Sequence, residues 1–472
     1  MKKLAIVLLC ATLSSTHARD LPEILRTSLV AQPEILEAQA NERIAESRLE
    51  IAQARKYPTL AVRANQPILR NNGDYGFNPV LEAKWTVYDF GKRDTDIHKE
   101  RLKADYFSEK TSETEEEFLY QLAGYYLEAL RADMALEVAL QNRKRHQEIV
   151  RKMEIIHQYD SGRRSELTQA QARLLQVEES IVSYERLRNL ALSRLSRYVQ
   201  PALSSDELNN PFANLSEAQL LTQYPSTLVD IRNNASYRAQ KEELAATQAE
   251  HESTKLAYYP DINILGETNR HDTAVYLSVT FDVFDRTKAP SIEQKRHQVD
   301  AAQARLDSIE ANLLERVDLA ILQMREDQLR IEIAGNQIRT SQQVAADYED
   351  QFTIAQRSLL DVVNAYSELA NIEQLRVNAK YDLMQAKLDY LSAVGKLSQW
   401  AGISQEPIYP TPSPQTAKPS AYSEVVITPP SKATYPEIII RNPSLRAYPK
   451  LKITNTDEQT LMQSTWQAPI FE

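Results

Sequence analysis

Glycine and proline are placed so unevenly along this chain that they limit its fold before any motif is sought. Nine of the 472 residues are glycine, where average usage of about 7% would give on the order of 33. No proline lies between Pro79 and Pro201, or between Pro290 and Pro407, yet eleven of the 21 fall at or after Pro407. A compact α/β enzyme of this length needs many tight turns, which draw on both residues. Phosphate-binding loops are excluded as well, because neither GxGxxG nor GxxxxGK[ST] occurs. Disorder before residue 400 is disfavoured by an apolar content of 42%.

Charge and motifs narrow the function. The net charge of −10 leaves no basic footprint for nucleic acid. The seven histidines form no HExxH and no GxSxG is present, so neither an enzyme, a cofactor nor a metal site is expected. The run Glu115-Glu116-Glu117 reads as solvated helix charge. Residues 1–18 read as a secretory signal: Lys2 and Lys3, an apolar Leu4 to Leu13, and a small-x-small site at Thr16-His17-Ala18. That apolar run is well short of the ~20 residues that span a bilayer. Cys10 is the one cysteine. Leu9 before it does not fit a lipidation signal, and cleavage after Ala18 would leave a chain without thiols. No later segment reads as a membrane helix, which leaves a β-barrel open to an exported chain.

The chain repeats itself once. Tyr57-Pro58 matches Tyr259-Pro260, Trp85-Thr86-Val87-Tyr88-Asp89 matches Phe281-Asp282-Val283-Phe284-Asp285, and Arg164-Ser165-Glu166-Leu167 matches Arg357-Ser358-Leu359-Leu360. The three landmarks keep one order with a slowly drifting offset. Each half reads as a helix running to Tyr-Pro (34–57 and 226–259), two short strands, and a very long helical stretch broken once. The expected organisation is a signal at 1–18, a first repeat at 19–222, a second at 223–402 and a tail at 403–472. The tail is rich in Pro, Ser and Thr and reads as extended and partly disordered.

The strands alternate with period two. Leu81, Ala83, Trp85 and Val87 share one face, and Val275, Leu277, Val279, Phe281 and Val283 share another. Such a face suits a small sheet on a soluble helix or a lipid-facing barrel wall equally. The helical stretches are read as 92–157 with 165–200, and 290–351 with 358–400. At 1.5 Å per residue the first of each pair would span about 100 Å. Leu167, Ala170, Leu174, Val177, Ile181 and Tyr184 are spaced as a heptad seam. The breaks at 157–165 and 352–358 read as turns followed by Ser165 and Ser358 as helix N-caps. Each half then holds an antiparallel hairpin with a basic tip, both tips pointing away from the strand loops.

Taken in order, these landmarks resemble the TolC-like outer-membrane efflux protein family. The resemblance rests on Tyr57-Pro58 and Tyr259-Pro260, on the corners Val87-Tyr88-Asp89-Phe90-Gly91-Lys92 and Val283-Phe284-Asp285, and on the two tips around Gly162 and Arg357. It covers about residues 20–402. The resemblance implies a mainly α fold with a small β part. Long hairpins would form a periplasmic α-barrel, and four strands per chain would join a trimeric 12-stranded outer-membrane β-barrel. It implies passive export from an inner-membrane transporter, of ABC type, through a periplasmic adaptor, with outer-membrane lipid around the strands. Lipid-facing positions would be Leu81, Trp85, Val87, Leu277, Val279 and Phe281. The aperture would fall at Asp361, Asn364, Arg357 and Phe352, with Asn364 replacing the acid usual in the family and Phe352 a latch tyrosine. Gly162, Arg163, Arg164, Ser165 and Ser358 would meet the adaptor. The first tip looks most like members serving type I secretion of large proteins such as adhesins, with drug or cation efflux next. The alternatives are a periplasmic adaptor, which calls for one hairpin and a lipoyl-like half, and a coiled-coil scaffold, which leaves the strand pairs unexplained.

Overall fold

The computed structural model describes residues 19–29, 32–65, 78–269, 272–282 and 284–403. The expected signal, most of the first strand loop, residues 270 and 271 of the second, Val283 and the tail from residue 404 lie outside the described residues.

Two helices open the chain, α1 (Leu21–Ser28) and α2 (Pro33–Ala54), each with proline in its first turn. There the missing N–H costs no intrahelical bond. Helix α2 ends at Ala54, earlier than the expected 57, because the chain tightens there into a turn in which Lys56 N and Tyr57 N donate to the carbonyls of Gln53 and Ala54, both at 3.1 Å. Strands β1 (Thr59–Asn65) and β2 (Asn78–Tyr88) follow. Phe90 and Gly91 then turn the corner with φ of 56° and 86°. Asp89 Oδ2 accepts from the backbone N of Arg93 at 3.1 Å and from its Nε at 2.6 Å, which fixes the start of α3 (Lys92–Tyr159).

The first hairpin is α3 and α4 (Arg164–Ser196), joined by a 3₁₀ turn at Ser161–Arg163. Ser165 lies inside α4 and is not its cap. Asp160 takes the capping role, accepting from Gly162 N at 3.0 Å. After a linker come α5 (Glu217–Gln223), α6 (Leu228–Arg232) and α7 (Ala235–Leu256). The expected single helix 226–259 is therefore two, and the expected repeat boundary at 222 falls within α5. The cause of the break is Asn234. Its Oδ1 caps α7 by accepting from Ser236 N, and its Nδ2 donates to the carbonyls of Ser392 and Ala393 at 3.0 and 3.1 Å. Gly395, at φ +67°, lies so close that an added Cβ would stand 3.0 Å from Asn234 Cα.

The second repeat continues with β3 (Asp261–Thr268), β4 (Thr273–Thr280), α8 (Lys288–Thr353), α9 (Leu359–Ala393) and a short α10 (Leu397–Trp400). Helices α3 and α8 hold 68 and 66 residues, about 100 Å each. The four strands form one antiparallel sheet in the order β1-β2-β3-β4.

Packing gives two layers of helix order. Toward the sheet, neighbours run α2, α3, α7, α8; toward the tips they run α4, α3, α9, α8. The heptad seam of α4 is real: Ala170, Val177 and Ile181 are buried, and Tyr184 packs on Leu136 and Ala139 of α3. The main core lies where the hairpins meet the linker, around Leu119, Leu122, Tyr126, Leu195, Leu220 and Tyr390. Its buried hydroxyls find partners, as burial requires. Tyr126 OH accepts from Asn209 N at 2.9 Å, and Tyr390 OH donates to the Tyr224 carbonyl at 2.6 Å.

Candidate functional site

The sheet is two-faced. Its register aligns Ala83 with Gly266 and Val275, and Trp85 with Ile264 and Leu277. With Val62 opposite Leu81, one face is apolar across all four strands. The other carries Arg63, Glu82, Asn263, Glu267 and Tyr276, tied by Arg63–Glu82 at 2.9 Å, Thr86–Asn263 at 2.8 Å and Tyr276–Glu267 at 3.1 Å. The apolar face is uncovered by the chain itself: Leu277 and Val279 are 65% and 60% exposed, and Leu81, Trp85 and Val87 are exposed too. Phe281 departs from the expectation, because β4 ends at Thr280 and leaves it exposed beyond the strand. Val87 falls at the register shift between Thr86 and Tyr88. No helix among the described residues is long and apolar enough to cross a membrane.

The open edges match. Strands β1 and β4 each have one neighbour, which leaves a row of unpaired backbone groups. Four strands are too few to close a barrel. The outer helices of the tip layer are α4 and α8, and both carry exposed apolar stripes at helical spacing. These are Leu175, Val182 and Leu190 on α4, and Leu322, Leu329, Ile333 and Val344 on α8. In the sheet layer the outer helices are α2 and α8, and α2 exposes Leu36, Ile44 and Ile51.

The two tips pack into one cluster. Met153, Ala170, Phe352, Leu359, Val362 and Val363 are its buried centre. Phe352 is 5% exposed beneath the Arg163 guanidinium, so it joins the hairpins by packing and does not face an opening. Arg357 stays within its own hairpin. Its Nε donates to Gln351 at 3.0 Å and its guanidinium lies 4.2 Å from the Tyr348 ring. The bonds across hairpins are made elsewhere. Lys152 of α3 donates to Glu349 of α8, which also accepts from Tyr366 of α9. Arg145 of α3 grips Glu373 of α9 through two bonds of 2.9 and 2.8 Å.

Asp361 is the third residue of a capping box at the start of α9. Ser358 Oγ donates to its carboxylate at 2.9 Å, and its own N–H donates back to Ser358 Oγ at 3.3 Å. Asn364, one turn further on, is exposed. At the first tip Gly162, Arg164 and Ser165 are exposed, while Arg163 is half-buried between Asp160 and Glu166. Burial alone would raise the pKa of Glu349, but the hydrogen bonds from Lys152 and Tyr366 outweigh it and leave the carboxyl below its ordinary value. Tyr366 is pushed well above its ordinary range by burial and by that same carboxylate. No group of His, Cys, Asp or Glu among the described residues is placed to hold a metal ion.

Lys152, Glu349, Tyr366, Arg145 and Glu373 were not singled out by motif. One signal was present in the sequence. Glu373 occupies the buried stripe of α9 that runs through Tyr366, Leu369, Ala370 and Val377, where a charge requires a partner.

Comparison with known proteins agrees with this geometry. The model of the family described as outer membrane efflux protein matches residues 24–199 and 231–396. The fold is similar to that of CusC, with a TM-score of 0.70 at 15% identity over 80% of this chain and 92% of that one. It is similar also to the outer membrane protein VceC of Vibrio cholerae, with a TM-score of 0.69 at 16% identity over 79% and 96% of the two chains. The MtrE outer membrane channel of Neisseria gonorrhoeae gives a TM-score of 0.68 at 16% identity, covering 80% and 89%. No protein of curated function matches the sequence. The chain belongs to the outer membrane efflux protein family, with the two-repeat fold, long helical hairpins and four strands, of outer membrane channel proteins and not of an enzyme.

Proposed function

We propose that the trimer is a channel-tunnel that passively conducts a substrate from an inner-membrane transporter to the outside. The observation that carries this reading is the pairing of unfinished surfaces: apolar stripes on α4 and α8, and free edges on β1 and β4. A head-to-tail ring covers each stripe with the other and leaves no free strand edge. The apolar sheet face, with Leu81, Trp85, Leu277 and Val279, then meets lipid, and Phe281 lies at its rim. Residues 1–18 direct export. A periplasmic adaptor docks on the tips, at Gly162, Arg163, Arg164, Ser165 and Ser358. Asp361 and Asn364 of three copies line the narrowest ring, where fixed charge selects ions, and Arg357 and Phe352 hold that ring's hairpin in place. Fractionation with cross-linking tests the reading. A trimer in the outer membrane is expected; a soluble periplasmic monomer overturns it.

For the substrate, we propose type I secretion of a large adhesin-like protein fed by an ABC-type transporter, on the likeness of the Gly162–Leu167 tip. Small-molecule efflux is the second reading, favoured by the family's description as efflux proteins. Deletion of the gene followed by analysis of the secreted proteins and of toxic-compound tolerance separates them.

A further inference from the structure

The end of the sheet nearest the helices carries a collar of exposed aromatic side chains. Tyr57 is 72% exposed and Phe284 84%, and Tyr88, Tyr259 and Phe281 are exposed at the same end of the strands. The collar is held rigidly on one side. Phe90, at φ 56°, stacks on Tyr259 with ring centroids 5.2 Å apart and meets Tyr88 edge-on at 4.8 Å. Exposed aromatic rings at the end of an apolar strand band suit the headgroup level of a bilayer.

Many of the charges at this level are matched. Lys56 pairs with Asp94 at 2.7 Å, Lys92 with Asp261 at 3.0 Å, Arg93 with Asp89 at 2.6 Å and Lys288 with Asp282 at 3.3 Å. Four exposed charges are left over: Lys84, on the polar face of β2, Asp285, which accepts from Thr287 N and Oγ1, and two arginines. Arg55 and Arg286 are exposed, and neither forms an ion pair among the described residues. Arg55 caps the end of α2, four residues before β1, and Arg286 lies six residues past β4 and two before α8, so they flank opposite edges of the sheet on its helix side. In a closed antiparallel ring, the end of β4 of one copy lies beside the start of β1 of the next. Ring closure therefore brings the two unmatched arginines to the same seam, near Tyr57 of one copy and Phe284 of its neighbour.

We infer that each seam holds the headgroup phosphate of an anionic phospholipid in the periplasmic leaflet, giving three such sites per trimer. Arg55 and Arg286 supply the charge, and Tyr57 and Phe284 contact the glycerol and upper acyl chain. The inference rests on the ring of three copies in the family reading. A lipid is favoured over a free phosphate because the cations sit beside exposed aromatic rings at the rim of an apolar face.

Native mass spectrometry of the full-length protein tests this, in detergent micelles doped with phosphatidylglycerol or phosphatidylcholine. The wild-type trimer is expected to retain up to three phosphatidylglycerol molecules, with a roughly 30-fold preference, the factor two cations at a membrane surface supply. R55Q with R286Q should abolish that preference while the trimer mass persists, and the two Arg→Lys changes should keep most of it. Equal retention of both lipids by wild type, an unchanged preference in the double Gln variant, or displacement by millimolar inorganic phosphate would each overturn the inference. A wild-type monomer would instead overturn the ring on which it rests.

Discussion

Arg145 and Glu373 form a two-bond ion pair, at 2.9 and 2.8 Å, across the interface between α3 and α9. Their side chains are 20% and 10% exposed. This pair ties the first hairpin to the second about halfway along the tip layer. With Lys152, Glu349 and Tyr366 nearer the tips, it is placed to restrain the second hairpin against the first.

Removing one partner strands the other charge in a mostly buried place, at a cost of about 3 kcal/mol. Glu373→Ala should therefore loosen α9 and raise the open-state conductance of the purified channel in planar bilayers. A paired apolar replacement, Arg145→Met with Glu373→Leu, should return the conductance to the wild-type level. If Glu373→Ala conducts as wild type does, the pair does not restrain the hairpin.

Acid should weaken the tips. Glu349 keeps a folded pKa below its ordinary value of 4.5, because Lys152 and Tyr366 outweigh the effect of burial. Its stabilisation is present above the unfolded pKa and fades as pH falls through the folded one. Amide exchange in 345–366 should speed up as pH drops below about 4.5, after correction for intrinsic rates. In Glu349→Gln that acid-dependent increase should disappear.

The capping box and the pore role of Asp361 can be separated. Ser358→Ala removes one cap bond and should cost about 1 kcal/mol of local helix stability without changing ion selectivity. Asn364→Asp adds one carboxylate per copy near the ring and should shift the reversal potential toward cations; Asp361→Ala should shift it the other way. Unchanged selectivity in both acid-altering variants would remove these residues from the aperture.

A charge in the exposed stripe should break assembly. Leu329→Glu puts a carboxylate where α8 is apolar and exposed, and burying it against a neighbouring copy is unfavourable by several kcal/mol. Size-exclusion chromatography with light scattering should then show monomer, whereas the same change at the exposed Asn364 should leave the trimer intact.

Periodicity made most of the fold legible, because helices this long need an unbroken 3.6-residue pattern and no proline. The heptad of α4, the two-faced sheet and the hairpins all followed from spacing. The linker between repeats did not. Its geometry depends on Asn234 reaching the carbonyls of Ser392 and Ala393, a contact between residues far apart in the chain. The tips were half legible. Ser358 announced its cap, but at the first tip the matching Ser165 lost that role to Asp160, because a 3₁₀ turn starts the reversal earlier. By resemblance Phe352 takes the place of a latch tyrosine; that it packs at the centre of both hairpins is revealed only by their association in space.

In the proposed ring, α4 of one copy lies against α8 of the next. Val182 stands eighteen residues above the start of α4 and Ile333 twenty above the end of α8, so they lie at nearly the same height from the joined tips. Cys10, the only native cysteine, falls in the expected signal, which leaves the rest of the chain free for engineered thiols. Oxidation of the Val182→Cys, Ile333→Cys double variant in isolated outer membranes should give covalent dimers and trimers on a reducing-agent-free gel, with each single variant remaining monomeric. A double variant that stays monomeric under oxidation, with both thiols shown to be reactive, would contradict the ring.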